Sequence, residues 1–361
     1  MSRATCATIH LDALRYNLNM LRQKAPHSRI MAVVKADGYG HGLERVARAL
    51  SDADAFGVAA LDDAQRLRAA GHRQRIVLLS GPDEAADLPV LRDLDVDAVI
   101  HHPCQLAWLE GASSGPELRV WLKIDTGMGR LGFPLAQAVD MHRQLRSCPA
   151  VHEDVVFMTH FARSDEFGES MTQEQIQRFD ACLQGVPGER SLANSAAVIG
   201  WPASHANWIR PGGALYGLSS VDGRSGTDLG LRPAMTLSTR LIADKRIEAG
   251  NSVGYGAGFV AQRSMRIGIA AIGYGDGYPR LAGTGTPILV NGRRTMLVGR
   301  VSMDLLALDL SDMPEARVGD PVVAWGEGLP IEEVAARAGT IGYELACGIT
   351  RRVRFQEVDS R

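Results

Sequence analysis

The sequence predicts an α/β fold: an eight-unit barrel over residues 1–230, followed by a β-rich domain over residues 231–361. Three observations predict it. Short apolar runs alternate with helical patterns from Ile30 to Arg210, the texture changes after about residue 230, and polar residues gather where the apolar runs end.

The elements follow in chain order. Leu11, Leu14, Leu18 and Leu21 recur at spacings of three and four, which predicts a helix within Ile9–Lys24. The apolar run Ile30–Val34 reads as a strand, and Leu43, Val46, Ala47 and Leu50 mark the next helix. Ala55–Val58 and Ile76–Leu79 are strands, with a helix over Asp62–Ala70 between them and an acidic helix start at Pro82-Asp83-Glu84 after them. Further strands are Ala98–Ile100, Val120–Ile124, Val155–Met158, Ser191–Ala193 and Trp208–Arg210, separated by helical patterns at 104–111, 134–147, 172–184 and 195–200. Short apolar strands separated by helices suggest a parallel sheet covered on both faces. Eight such units suggest a closed (β/α)8 barrel of the TIM type, and an open doubly wound sheet fits the same pattern.

After residue 230 the strand-like runs are Thr236–Ile247, Met265–Ile272, Pro287–Val290, Arg294–Val298, Leu305–Leu308 and Pro321–Ala324. Asn291-Gly292 is a hairpin turn signal, and only Ile331–Ala338 reads as helical.

Composition narrows the function classes. A formal charge of −2 leaves no basic field for nucleic acid. No apolar stretch is long enough to span a membrane, and Met1–Cys6 lacks the apolar run of a secretory signal, so a cytoplasmic location is expected. The five cysteines are scattered without a Cys-x-x-Cys pair, so neither a disulfide framework nor a metal site is expected.

The chemistry gathers at strand ends. In Val33-Val34-Lys35-Ala36-Asp37-Gly38-Tyr39-Gly40-His41-Gly42 a lysine closes an apolar strand before a glycine-rich turn. The C-terminal strand ends form the catalytic face of a barrel, and a lysine there with its pKa lowered by burial is a candidate Schiff-base former. A lysine merely snorkelling from a strand end would look similar on this segment alone. The later strand ends carry Lys123 to Phe133, Thr159-His160-Phe161, Asn194-Ser195 and Arg210-Pro211-Gly212-Gly213. Loops after the seventh and eighth strands commonly bind phosphate, and a hydroxyl at Ser195 with open N–H groups at Gly212-Gly213 supplies the parts. A lone Ser195 would be read as a helix cap, and a lone Gly-Gly as a turn.

Val33–Gly42 resembles the pyridoxal-attachment signature of alanine racemases. The resemblance continues in order through Trp121–Phe133, Thr159–Ala162, Leu192–Ser195, Trp208–Gly217, Gly254–Gly258, Gly273–Arg280, Val298–Asp304 and Tyr343-Glu344, nearly the whole chain. It implies a pyridoxal 5'-phosphate enzyme that interconverts L- and D-alanine, supplying D-alanine for peptidoglycan or degrading it. It also implies a homodimer with shared active sites, and it places a first strand near residues 5–9 with the C-terminal domain.

Carried over residue by residue, the resemblance makes Lys35 the cofactor's anchor and one proton-transfer base. Tyr255 would be the other base, delivered from the second subunit. Two bases on opposite faces of a planar centre satisfy what racemisation needs. Arg210 would face the pyridine nitrogen, to which a guanidinium cannot readily give a proton. His160 would lie beside the cofactor ring, and Tyr39, Asn194, Ser195, Gly212, Gly213 and Tyr343 would surround the cofactor. Arg130 would meet the cofactor's phenolic oxygen and the substrate carboxylate, and the Met303 N–H the carboxylate, with Asp304 next in the motif. Lys123 matches a position open to carbamylation, which requires a neutral buried amine. Tyr274, Tyr278, Arg280 and Arg300 match an entryway that favours a small side chain. Gly213 departs from the pattern, which calls for a bulkier apolar residue there.

Other racemases on the same scaffold, a barrel-type decarboxylase and a non-catalytic cofactor-binding barrel are the competing readings. Arg210 and Tyr255 argue against the decarboxylase, and the β-rich domain argues against the binding protein.

Overall fold

The computed structural model describes residues 4–112 and 115–359. Eight parallel strands close on themselves: Arg29–Val33, Ala55–Val58, Arg75–Leu78, Val96–Ile100, Val120–Asp125, Val156–Met158, Arg190–Ser191 and Trp208–Ile209. Each pairs in parallel with its neighbours, the Val96–Ile100 strand meets Val120–Asp125, and Trp208–Ile209 returns to Arg29–Val33. The barrel reading therefore holds and the open sheet falls away. Helices cover the outside because each connection carries an apolar face. In Leu11–Lys24, Leu11, Leu14, Leu18 and Leu21 are all buried, as their spacing required.

One strand belongs elsewhere. Cys6–His10 pairs antiparallel with Met235–Ile247 and parallel with Arg354–Val358, in the eight-stranded sheet that the C-terminal part builds. The chain thus starts in one layer, builds the barrel, and returns to the first layer. The last strand, Arg354–Val358, gave no sequence signal because its side chains are exposed or half-exposed and carry no alternating apolar face. A six-residue helix, Gly342–Cys347, was likewise too short to show periodicity. The acidic start at Pro82 forms turns, and helix begins at Asp87.

The barrel interior is filled by Met31, Ala55, Val77, Val99, Trp121, Val156, Met158 and Trp208, which form a cluster of their own. Its N-terminal end is plugged by charge. Asp97, fully buried, accepts from Trp121 Nε1 at 2.8 Å and Arg119 Nε at 2.9 Å and is also paired with Arg75. The Arg29 guanidinium lies 4.1 Å above the Trp208 ring, whose indole N–H donates to Glu189. Removing one partner of a buried ion pair strands the other. Asp97→Ala is therefore expected to lower stability by about 3 kcal/mol, read as an earlier urea midpoint, without disturbing the opposite end of the barrel. The opposite, C-terminal end is open.

Candidate active site

Lys35 follows directly on the strand Arg29–Val33 and Val34, at the start of the glycine-rich turn the sequence predicts. The turn is left-handed: φ is +54° at Ala36, +52° at Asp37, +62° at Gly38 and +52° at Tyr39. Such a conformation costs about 1–2 kcal/mol per non-glycine residue, so it persists only where the surroundings impose it. Here they do. Gly42 N–H donates to the Asp37 carbonyl at 2.8 Å, and the Asp37 carboxylate accepts from Leu43 N–H at 3.1 Å and from Arg66 at 2.8 Å. At Gly40 a Cβ would stand 2.1 Å from the Ala346 carbonyl oxygen, so only glycine admits the contact between this turn and the Gly342–Cys347 helix. The sequence alone gives Asp37 and Arg66 no role, although Asp37 stands two residues after Lys35.

A cavity of about 1360 Å³ opens at this end of the barrel. It gathers Lys35, Tyr39, Lys123, Arg130, His160, Asn194, Ser195, Arg210, Gly212, Gly213 and Tyr343 from loops up to three hundred residues apart. Ser195 Oγ accepts from the N–H groups of Gly212 at 2.8 Å and Ala214 at 3.3 Å. The Tyr39 hydroxyl lies 2.4 Å from where a Gly212 Cβ would stand, and the Tyr343 hydroxyl 2.2 Å from that of Gly213. Two phenols therefore close on a glycine pair, and the Tyr343 hydroxyl fills the room a bulkier residue 213 would take. Asn194 is the cap of the Ser195–Gly200 helix: its Oδ1 accepts from Ala197 N–H at 3.0 Å and from Ser164 Oγ at 2.9 Å.

Arg210 is buried, and among the described residues it donates to neutral acceptors, Ser191 Oγ at 2.7 Å, the Thr159 carbonyl at 2.6 Å and the Leu192 carbonyl at 3.2 Å. Burial lowers it to about 10, which leaves it charged near neutrality. Thr159 lies in a predicted strand end and Ser191 begins a predicted strand, both without an assigned role, and orienting this guanidinium is theirs. Arg210 Nη2 also approaches His160 Nδ1 at 3.4 Å. Burial, reinforced by Arg210, Lys123, Arg130 and Lys35, holds His160 well below the usual imidazole range, so its ring is neutral.

The remaining cations face one another. Burial and the charge of Arg130 lower the Lys35 amine from its ordinary value. Burial, then repulsion from Arg210, Arg130 and Lys35, lowers Lys123 to about 8. The Asp125 carboxylate, close by on the Val120–Asp125 strand, is occupied by the N–H groups of Gly127, Met128 and Gly129. The wider cavity is also lined by Arg224 and Arg294 and by carboxylates such as Asp165 and Asp222, but where Lys35 opens into it, Lys123, Arg130, Arg210 and a hydroxyl-ringed glycine pair supply the parts for an anion carrying a carbonyl. The described residues contain no group of three His, Cys, Asp or Glu placed to hold a metal.

Tyr255, Met303, Tyr274, Arg280 and Arg300 do not line this cavity. They form a second group on the β-rich part. The Arg300 side chain packs along Gly256 and Gly258 beside Tyr255, the Tyr274 N–H donates to Ser302, and Arg280 lies 5.9 Å from the Tyr274 ring. Asp304 pairs with Arg352. Tyr255 is 67% exposed and Met303 52% exposed. Tyr278 is different: it is fully buried and stacked on Trp325, so it cannot line an entryway, and its place among apolar neighbours corrects the sequence expectation.

Comparison with known proteins agrees with this geometry. Residues 9–220 match the family model described as the alanine racemase N-terminal domain, and residues 234–356 match the C-terminal domain model. The chain is 52% identical to the alanine racemase of Shewanella amazonensis, covering 96% of this chain and 97% of that one. It is 49% identical to that of Halorhodospira halophila, with 99% of each covered. Among solved structures, the biosynthetic alanine racemase from Pseudomonas aeruginosa superposes with a TM-score of 0.96 at 47% identity, over 99% of both chains. The Bartonella henselae alanine racemase, solved with covalently bound pyridoxal phosphate, gives 0.89 at 25% identity, over 98% of this chain and 99% of that one.

Proposed function

The chain belongs to the alanine racemase family, and from that premise we propose that Lys35 and Tyr255 are the two bases of its reaction. It is an isomerase that interconverts L- and D-alanine and depends on pyridoxal 5'-phosphate. Supply of D-alanine for peptidoglycan is the role we attach to it. With all five cysteines free thiols, work in the reducing cytoplasm is part of the same proposal. Among the described residues no helix is long and apolar enough to cross a membrane.

The observation that carries the reading is the convergence of the Lys35 amine, the hydroxyl-ringed glycine pair and the buried Arg210 on one cavity. These residues fit the cofactor. Lys35 would hold it covalently, Tyr39, Ser195, Gly212, Gly213 and Tyr343 would hold its phosphate, and Arg130, His160 and Arg210 would face its ring. Asn194 would serve that loop as a cap. When bound, the cofactor withdraws electrons from the substrate's Cα–H bond and so makes that proton removable.

The chain's own residues then divide the work. Burial and the charge of Arg130 weaken the Lys35 amine's hold on a proton, the direction that a base on one face of the substrate Cα requires. The other face needs a second base. Tyr255 of the partner subunit fills that role in a homodimer, with Met303, Tyr274, Arg280 and Arg300 lining the way in and the Met303 N–H meeting the carboxylate. Arg210, charged and fixed, offers no proton to a ring nitrogen beside it. His160, neutral, adds no further charge.

Lys123 is proposed as a carbamylation site. Its amine, at about 8, is partly neutral near physiological pH, and a carbamate would place one negative charge among the cations. The sign of its linkage is definite. Between about 8 and its ordinary 10.5 the unfolded chain keeps the Lys123 proton and the folded chain releases it. Stability in carbon-dioxide-free buffer is therefore expected to rise with pH across that window. Lys123→Met should flatten the rise in melting temperature and abolish any stimulation of activity by bicarbonate.

The function itself is tested by proton NMR with L-alanine in deuterium oxide, alongside chiral analysis. Loss of the α-proton signal with D-alanine formation is expected. Exchange of serine, lysine or arginine with alanine inert would overturn the substrate, and no exchange with cofactor bound would overturn the pair of bases.

A further inference from the structure

The left-handed turn that carries Lys35 has one support that the mechanism leaves unused. His41 is fully buried, and its Nδ1 lies 2.8 Å from the Tyr39 carbonyl oxygen. A carbonyl only accepts, so Nδ1 carries the hydrogen and Nε2 of the neutral ring is a bare acceptor. Burial lowers His41 to about 4, which keeps the ring neutral in the working range. The ring packs on Tyr216 at 4.8 Å, and Tyr216 in turn packs on Tyr39 at 4.8 Å and donates to the Val33 carbonyl at 3.1 Å. His41 and Tyr216 thus fasten the turn on both sides of Lys35, at Val33 and at Tyr39.

Nε2 of His41 is buried without a hydrogen-bond partner among the described residues, and so is Nε1 of Trp325. An acceptor and a donor are therefore both unsatisfied, and buried polar groups are rarely left so. Both residues line one small cavity of about 20 Å³, at the junction of the barrel with the strand Pro321–Trp325. That volume admits a single water. Glu332 lines it too, and its carboxylate accepts from Ser219 N–H at 2.6 Å.

We infer that His41 is a positioning residue for the Lys35 turn, and that one buried water joins its Nε2 to the indole N–H of Trp325. The β-rich part thereby braces the cofactor-bearing turn through an indole, a water and an imidazole ending on the Tyr39 carbonyl. The water accepts from Trp325 and donates to His41, so every group in the chain of contacts is satisfied. Tyr39 is the residue whose hydroxyl closes on Gly212, so loosening its backbone loosens the phosphate cradle. This inference rests on the reading that the cofactor is held at Lys35.

The test measures cofactor retention by titrating the cofactor back into stripped dimeric protein and following the absorbance of the bound form. His41→Phe keeps a ring against Tyr216 and removes both nitrogens. About tenfold weaker retention is expected, with KM for alanine at saturating cofactor unchanged within twofold. His41→Asn restores a donor near the Nδ1 position and should recover most of the loss. Trp325→Phe should weaken retention about threefold, and combined with His41→Phe it should add nothing, because both remove the same strut. Wild-type retention in His41→Phe, failure of Asn to restore it, or full multiplication of the two effects would each overturn the inference. Should His41→Phe not fold, Trp325→Phe decides alone, by the same titration with its melting temperature unchanged. Failure of the wild-type protein to take the cofactor at Lys35 would sink the functional reading instead.

Discussion

Lys35→Ala protein is expected to lose alanine racemisation by at least about a thousandfold, and to carry no covalently trapped cofactor after borohydride reduction. Wild-type protein treated in the same way should yield one modified peptide, the one containing Lys35. The effect is large because one amine serves twice, as the anchor and as a base. Both roles come from its position at the end of the first barrel strand, where burial and Arg130 lower its proton affinity. The variant should still fold, since the turn is held by contacts of Asp37, Gly40 and His41 rather than by the lysine side chain. Trapping of the cofactor at another lysine, Lys123 above all, would reassign the anchor.

Tyr255→Phe is expected to reduce racemisation by roughly 10²–10⁴-fold, the range over which a positioned proton-transfer group acts. Cofactor attachment at Lys35 should be untouched, because Tyr255 lies outside the cavity that holds the cradle. The loss should also be directional. With Lys35 as the one remaining base, one enantiomer should still exchange its α-hydrogen with solvent deuterium while the other exchanges far more slowly. Equal loss of exchange from both enantiomers would remove Tyr255 from the list of bases. Tyr255 sits in a glycine loop with φ of +76° at Gly254 and +69° at Gly256, beside Arg300. That loop leaves the phenol largely exposed on its own subunit.

Much of this was legible from residue types and spacing. The eight barrel strands were placed within a few residues, because parallel strands buried on both faces are read as short apolar runs. The cavity residues were legible because catalytic groups fall at strand ends, and Lys35, His160, Ser195 and Arg210 all do. What escaped was whatever long-range contacts dictate. The left-handed course of Ala36–Tyr39 runs against local preference and exists because Arg66, Ala346 and His41 hold it. Arg354–Val358 is a strand because Cys6–His10 offers it an edge, not because of its own pattern. Tyr278 and Tyr274 stand four residues apart in one motif, yet one is buried on Trp325 and the other is exposed, a distinction no spacing supplies.

The division of one site between two chains is the central claim, and mixing two inactive proteins tests it most directly. Lys35→Ala and Tyr255→Phe proteins, dissociated together and reassociated, should form heterodimers in which one of the two sites holds both a wild-type Lys35 and a wild-type Tyr255. Random pairing predicts recovery of roughly a quarter of wild-type activity. A mixture as inactive as its components, with heterodimers demonstrably formed, would contradict the claim and return Tyr255 to the surface of its own subunit.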